Sequence, residues 1–295
     1  VSRIGNGAFN GCYYLQKLEI PDGVTRLGEG AFEGCSSLGS LVIPDSVTSI
    51  EDRVFKDCHS LKSLVIPDGV TSIGEDAFAS CESLKSLVIP ASVVNIKGDP
   101  FYCWTGKLRC LSPYFIYEDN VLFDRDKSTI ISFRDIKATS YTIPDSVTSI
   151  GERAFSGCES LTSLVIPDSV ASIGDGAFEG CESLKNLVIP DNITSIEKGV
   201  FQGCSSLTDI VIPNRVTSIG EGAFFACNSL TSIVIPSSVI CIGTWAFYGC
   251  ESLKSLVIPD SVTSIGDETF YDCCFPNDLK QELISRFGNR IFVKP

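Results

Sequence analysis

The chain repeats a unit of 23 residues along nearly its whole length, and this period constrains the fold more than any other feature. A cysteine marks the period in each of two blocks. These cysteines are Cys12, Cys35, Cys58 and Cys81, followed by Cys158, Cys181, Cys204, Cys227, Cys250 and Cys273. A period of this length is typical of a solenoid, in which each repeat forms one coil and stacks on the next. We therefore predict a repeat solenoid.

Each repeat contains a short strand pattern. In the unit that begins at Cys58, Leu64 and Ile66 alternate with Val65, which predicts a strand with Leu64 and Ile66 inside and Val65 outside. Pro67 follows and ends the strand, because proline has no N–H to donate to a ladder. Stacked units are expected to form a parallel sheet.

A phenylalanine also recurs once per repeat, and we predict that its copies stack in a buried column. The column consists of Phe9, Phe32, Phe55, Phe78, Phe101, Phe155, Phe178, Phe201, Phe224, Phe247 and Phe270. The recurring cysteines are expected to be buried thiols that act as small apolar fillers.

The whole pattern, L-x-x-L-x-I-P-x-x-V-x-x-I-G-x-x-A-F-x-x-C, resembles the treponemal type of leucine-rich repeat found in BspA-like surface proteins. The resemblance covers most of the chain. It implies a right-handed leucine-rich repeat superhelix with a parallel β-sheet on its concave face and short loops or helical turns elsewhere. It also implies surface exposure or secretion, and adhesion to host proteins or to other cells.

We divide the chain into four segments of one continuous solenoid domain. Residues 1–102 and 144–274 hold regular repeats, and residues 103–143 hold a degenerate repeat with an inserted β-hairpin. Residues 275–295 are expected to form a C-terminal cap, with a helix that starts at Pro276–Asn277, stops at Gly288 and precedes a strand over 291–293. Because Val1 lies in the middle of a repeat, we expect the chain to be a trimmed fragment whose secretion signal or anchor is missing.

The irregular segment 103–143 leaves two questions open. Leu108 and Leu111 retain the apolar pattern of a repeat strand, and a hairpin is predicted over 121–133. Its many aromatic residues fit either a local core or an aromatic contact site. They are Phe101, Tyr102, Trp104, Tyr114, Phe115, Tyr117, Phe123, Phe133 and Tyr141. Cys103 and Cys110 are close enough in sequence for a disulfide, which the sequence alone does not decide.

Composition and motifs disfavour several classes of function. The net charge of −13 disfavours nucleic-acid binding, and no apolar run is long enough to span a membrane. His59 is the one histidine, and no nucleophile–base or cofactor-binding motif appears in a supporting context. We expect neither an enzyme nor a bound cofactor or metal.

The remaining candidate is a binding surface. A valine occupies the outward strand position in most repeats, and such a row is either a binding stripe or a consequence of strand propensity. The candidate protein-binding residues are Val65, Val88, Val165, Val188, Val211, Val234 and Val257 in this row, the flanking Lys62, Lys85, Lys185 and Lys254, and the two tryptophans Trp104 and Trp245. Val42 belongs to the same row.

Our leading hypothesis is a non-enzymatic recognition or adhesion protein, extracellular or at the cell surface. It would bind a protein ligand, such as a host extracellular-matrix or cell-surface protein, through the concave face. The alternative is a structural spacer or cell-envelope component without a specific ligand. The sequence leaves the identity of the ligand and the oligomeric state open.

Overall fold

The computed structural model describes residues 2–293, which form two compact units, the first ending at Arg134 and the second beginning at Asp135. Each unit is a leucine-rich repeat solenoid in which parallel strands of successive coils pair. The predicted fold class is therefore confirmed. The continuity of one solenoid domain through residues 103–143 stays a prediction.

The first unit consists mainly of very short strands. They are β1 (Arg3–Ile4), β2 (Arg26–Leu27), β3 (Ser49–Ile50), β4 (Ser72–Ile73), β5 (Ser86–Ile89), β6 (Asn95–Ile96), β7 (Lys107–Cys110), β8 (Phe115–Glu118), β9 (Val121–Asp124) and β10 (Thr129–Phe133). Strands β1, β2, β3, β4 and β6 pair in parallel in that order, with a register that follows the 23-residue repeat, and β5 pairs in parallel with β7. Strands β8, β9 and β10 form an antiparallel meander.

The second unit continues the same pattern and ends in a helix. Its elements are β11 (Ser140–Thr142), β12 (Ser149–Ile150), β13 (Ser163–Val165), β14 (Ser172–Ile173), β15 (Asn186–Val188), β16 (Ser195–Ile196), β17 (Asp209–Val211), β18 (Ser218–Ile219), β19 (Ser232–Val234), β20 (Cys241–Ile242), β21 (Ser255–Val257), β22 (Ser264–Ile265), α1 (Asn277–Phe287) and a 3-10 turn (Asn289–Ile291). Neighbouring coils again pair in parallel, as Val188 pairs with Val211.

Each regular coil has a second strand, which the alternation pattern did not predict. It follows the turn after the proline and covers two residues, for example Ser72–Ile73 in β4. Two residues are too few to show a period of two, so the sequence signal is missing. The threonine before this strand adds a side-chain bond between coils, since Thr71 Oγ1 donates to the Thr48 carbonyl at 3.2 Å.

The coils approach each other most closely just after this second strand. A Cβ atom added to Gly74 would lie 2.4 Å from the backbone nitrogen of Asp52 and 2.5 Å from the carbonyl carbon of Glu51. Real Cβ atoms do not approach backbone atoms so closely, so glycine at this position allows the coils to stack at strand spacing.

The phenylalanines form a stacked column inside each unit, as predicted. In the first unit the centroids of neighbouring rings, from Phe9 to Phe101, are 5.3–6.0 Å apart. In the second unit, from Phe155 to Phe270, they are 5.2–5.8 Å apart. A third backbone connection runs beside the column, as the Phe178 N–H donates to the Val200 carbonyl at 3.0 Å.

The C-terminal cap contains the predicted helix but not the predicted strand. Leu283 of α1 is buried, and Phe275 and Phe292 pack against Phe270, with ring centroids 5.5 and 5.9 Å away. The strand predicted over 291–293 is wrong, because Ile291 ends a 3-10 turn and both Ile291 and Phe292 are buried, without the alternation of a strand. Its backbone carbonyl accepts the Phe270 N–H at 2.8 Å, which ties this turn to the last coil.

Candidate protein-binding face

Exposed valines form a row along each unit. In the first unit only Val88 lies in a strand, because the residues around Val65, where a strand is predicted, keep the alternation of buried and exposed side chains without forming one. We call Val42, Val65 and Val88 the first valine row, and Val165, Val188, Val211, Val234 and Val257 the second valine row. Every valine in the two rows is exposed, with fractions from 40% to 79%. The prediction that these side chains point outward is confirmed, while their role in binding stays a prediction.

The alternation within each strand positions these side chains. In β13, Leu164 is buried and Val165 is exposed, and the pattern repeats in β15 and β17. Parallel pairing then places equivalent valines beside each other, about 4.8 Å apart along the sheet. Shallow grooves lie between neighbouring valines, one of them lined by Val165, Val188 and Val211. The rows therefore form continuous apolar stripes on a solvated surface.

Charged and polar side chains border the stripes. Lys62, Lys85, Lys185 and Lys254 are all exposed, as the sequence predicts, and each lies three positions before a valine of its row. At the other end of the strand, an aspartate such as Asp68 follows the proline and is exposed. Each stripe is therefore rimmed by polar groups, which is the usual anatomy of an interaction surface.

The two tryptophans have opposite environments. Trp245 is 40% exposed in the loop before its phenylalanine. Trp104 is buried, and its indole Nε1 donates to the Leu84 carbonyl at 2.7 Å, so its assignment as a surface contact is wrong. Its ring lies 5.5 Å from that of Phe101, where it ends the phenylalanine column of the first unit.

The other aromatic residues of the irregular segment divide in the same way. Phe123 and Phe133 are buried in the first unit, as are Phe101 and Trp104, which favours the local-core interpretation. Tyr114 remains exposed. The predicted hairpin is confirmed as β9 and β10, and β8 adds a third strand to it.

A buried carboxylate and a nearby, partly buried guanidinium lie under the end of the first unit, and sequence reasoning missed them. The Asp99 carboxylate accepts the Phe101 N–H at 2.8 Å. The Arg134 guanidinium lies over the Trp104 ring, 4.4 Å from its centroid, and donates to the carbonyls of Trp104 and Gly106 at 2.8 and 3.0 Å. Burial raises the pKa of Asp99 to about 7, although Arg134 opposes the shift. Charged residues 35 positions apart carry no local signal of such a pair.

Eight of the ten recurring cysteines are buried thiols, as predicted, whereas Cys12 is exposed and Cys273 is partly exposed. Buried members donate their S–H to a phenylalanine carbonyl of the preceding coil; for example, Cys204 Sγ lies 3.3 Å from the Phe178 oxygen and Cys227 Sγ lies 3.1 Å from the Phe201 oxygen. Desolvation raises the pKa of Cys204 from 9.0 to about 12. A thiol that resists ionisation is a poor nucleophile, so the column is suited to packing and not to covalent chemistry.

The disulfide considered between Cys103 and Cys110 is not formed. Cys110 is a thiol whose Sγ lies 3.8 Å from the carbonyl oxygens of both Ser112 and Phe115. Burial raises its pKa as well. The short coil that ends in β7 holds Cys110 on the strand, where its sulfur contacts the backbone.

Alkylation should distinguish buried from exposed cysteines. When the native protein is treated with N-ethylmaleimide, Cys241 and Cys274, which are exposed, should react at least ~100-fold faster than Cys204 and Cys227. Peptide mass spectrometry of the alkylated protein measures this difference, with protein in guanidinium as the control in which all four react. Equal rates in the native protein would mean that the coils open readily.

His59 lies at a turn between neighbouring coils. Its Nδ1 lies 3.0 Å from the Ser80 carbonyl oxygen and 3.8 Å from Glu82 Oε1, and its side chain is partly exposed. These contacts fix the ring at a turn between neighbouring coils. The neighbouring Cys58 thiol is buried, and burial raises its pKa. A thiol that stays protonated is a poor nucleophile, so Cys58 and His59 are not arranged as an activated cysteine and its base.

Comparison with known proteins identifies a shared repeat. Residues 1–112, 130–239 and 217–294 match the family model described as "BspA type Leucine rich repeat region (6 copies)". No match was found among curated proteins.

Solved structures of similar proteins come from bacteria. A leucine rich cell surface protein from Faecalibacterium prausnitzii is 36% identical, with a TM-score of 0.75, and the match covers 87% of this chain and 69% of that one. A leucine-rich repeat protein from Eubacterium ventriosum is 25% identical, with a TM-score of 0.68, over 89% of this chain and 84% of that one. The pneumococcal vaccine antigen PcpA shares the fold at 20% identity and a TM-score of 0.65, over 95% of this chain and 79% of that one.

None of the helices within residues 2–293 has the length and apolar character that crossing a membrane requires.

Proposed function

Because the chain belongs to the BspA-type leucine-rich repeat family, we propose that it is a non-enzymatic recognition protein of the cell surface, which adheres to other proteins through its valine rows. The family and its cell-surface relatives support a protein-interaction or surface role. The observation that carries the proposal is the row of valines exposed between buried leucines and isoleucines. A parallel sheet with an exposed apolar face can bury that face against a protein partner.

The energetics favour an extended contact over a single anchor. Burying apolar surface contributes roughly 25 cal/mol per Å², so each valine adds a modest increment and several together give useful affinity. The polar rim then restricts which partners fit, because charges left unpaired at the edge oppose binding. A repeated face of this kind suits a protein ligand that spans several coils.

Placing charges in the second valine row tests the proposal. The triple variant Val165→Lys, Val188→Lys and Val211→Lys should reduce binding to immobilised extracellular-matrix proteins at least tenfold, about 1.4 kcal/mol, because three ammonium groups would enter the contact. Surface plasmon resonance against a panel of such proteins measures the change.

The matched control uses the exposed threonine that precedes the second strand in three coils of the same unit. Thr194→Lys, Thr217→Lys and Thr263→Lys add the same charge at exposed positions of the same unit and should leave binding within twofold. Unchanged binding of the valine variant would remove the valine rows from the contact. Failure of the unaltered protein to bind any member of the panel would instead favour the structural-spacer alternative.

A further inference from the structure

The first valine row ends in a cluster of positive charge. Strand β7 pairs with β5 so that Arg109 lies beside Val88 and Lys107 lies beside Ser86. The Lys107 N–H donates to the Lys85 carbonyl at 2.9 Å, which continues the stacking of the coils. Arg109 therefore occupies the place that a valine occupies in the regular coils. Its side chain is exposed on the same face.

The 23-residue spacing does not reveal that Arg109 occupies a valine position. Arg109 follows Val88 by 21 residues, since 109 − 88 = 21, whereas regular partners are 23 apart. The sequence pattern shows Leu108 and Leu111 in this coil but gives no register for the residues between them. Leu108 is buried in β7, and Leu111 is 47% exposed just beyond it.

Four cations gather at this end of the face, on a protein whose net charge is −13. We call Lys62, Lys85, Lys107 and Arg109 the basic end. All four are exposed, and none of them makes a salt bridge in the part of the chain that the structure describes. The aspartate that follows the proline in earlier coils is replaced in this coil by Ala91, so the acidic border at the other end of the strand is interrupted.

An apolar groove adjoins the basic end. Val65, Val88 and Leu111 line it, all of them at least 40% exposed. Lys62 lines one side, and Asp68 is the acidic residue on its border. Cations without counter-ions attract negative charge, whereas the groove between them favours apolar side chains.

From this arrangement we infer that the basic end of the first valine row binds an acidic polypeptide segment with interspersed apolar side chains. The carboxylates pair with Lys85, Lys107 and Arg109, and the apolar side chains occupy the groove between Val65 and Val88. The inference rests on the proposed protein-binding function and specifies the partner chemistry for the first unit. A long polyanion fits less well, because the acidic remainder of the protein repels it and it leaves the groove unfilled.

Synthetic peptides test this inference directly. The probe is a fluorescein-labelled peptide in which three valines are separated by pairs of glutamates. Three comparison probes are its glutamine counterpart, its serine-for-valine counterpart and a single-stranded oligothymidine. Fluorescence anisotropy at low salt should give an affinity for the glutamate–valine peptide at least tenfold higher than for each comparison probe. Added salt should weaken it, because exposed ion pairs are screened.

Charge reversal with a matched control locates the site. Lys85→Glu with Arg109→Glu should weaken binding of the glutamate–valine peptide at least tenfold. Lys137→Glu with Arg215→Glu makes the same change in net charge at exposed positions of the second unit, outside the candidate binding residues, and should leave the affinity within twofold. Circular dichroism confirms that both variants fold.

Three results would overturn the inference: equal loss in both double variants, equal binding of the oligothymidine, or equal binding of the glutamine peptide. These outcomes are distinguishable from failure of the proposed function. Suppose that the Val165, Val188 and Val211 variant loses matrix-protein binding while Lys85→Glu with Arg109→Glu leaves peptide binding unchanged. The proposed protein-binding function would then stand, and the basic end would not be the site that binds acidic segments.

Discussion

Replacing Phe178 by alanine is expected to lower the free energy of unfolding of the second unit by about 3–5 kcal/mol. The ring is fully buried, and it stacks between Phe155 and Phe201 with centroid distances of 5.6 and 5.7 Å. Its removal forfeits the transfer free energy of the ring and leaves a cavity that rigidly spaced coils cannot close. In a solenoid each coil contacts only its neighbours, so the loss weakens two interfaces at once.

A matched control distinguishes the loss of a phenylalanine in the column from the loss of a stacked aromatic ring outside it. Phe225 also stacks, 4.9 Å from Tyr248, but it is only half-buried beside the column. Its replacement by alanine should cost about 1 kcal/mol. Guanidinium denaturation gives the overall loss, and native-state hydrogen exchange of amides near Phe178 shows whether the loss is local. Equal destabilisation by both variants would contradict a structural role specific to the column.

The repeat period made the column predictable. Every copy of a position meets the same neighbours, so eleven phenylalanines at one position of the pattern specify one environment, and the exposed valines follow from alternation within one strand. The arrangement of Phe178 and Val188 therefore required no knowledge of tertiary structure beyond the stacking of coils.

The sequence-based predictions are wrong or missing where the chain departs from the 23-residue repeat. Trp104 is among the candidate binding residues, with a local core as the alternative, whereas in the structure it ends the phenylalanine column beyond Phe101, a place that no periodic position defines. Arg109 was missed because its coil is two residues shorter than the others. In a solenoid, the position of a residue within the repeat predicts its environment only while the register between coils is regular. Where the register changes, the repeat pattern no longer predicts which side chains are buried or paired.

The buried Asp99 should make the first unit less stable as pH rises toward neutrality. Its pKa is about 7 in the folded protein against an ordinary value of 3.8, which we take for the unfolded chain. Between those values the folded state holds a proton that the unfolded state has lost, so the free energy of unfolding falls as pH rises. This contribution is fully present below about pH 4 and is lost above about pH 7, with a magnitude on the order of 4 kcal/mol.

Asparagine at position 99 isolates this contribution because it stays neutral at every pH. Relative to the unaltered protein, Asp99→Asn should gain stability progressively from pH 4.5 to 8.5, by roughly 2–4 kcal/mol over that range. Any pH-independent cost of the amide, such as a weaker hydrogen bond from the Phe101 N–H, shifts the whole curve and leaves its slope unchanged. Urea denaturation at several pH values, followed by hydrogen exchange of amides near Phe101, measures the slope.

An exposed carboxylate supplies the control for the change in net charge. Asp68→Asn removes one negative charge from the surface of the same unit and should have the small, salt-screened effect of an exposed group. A pH slope in Asp99→Asn no larger than that in Asp68→Asn would contradict a buried, proton-retaining Asp99. A difference curve that stays flat from pH 4.5 to 8.5 would mean that Arg134 outweighs burial and keeps the carboxylate ionised in the folded protein throughout this range. The slope of one difference curve therefore decides whether desolvation or the attraction of Arg134 dominates beneath the end of the phenylalanine column.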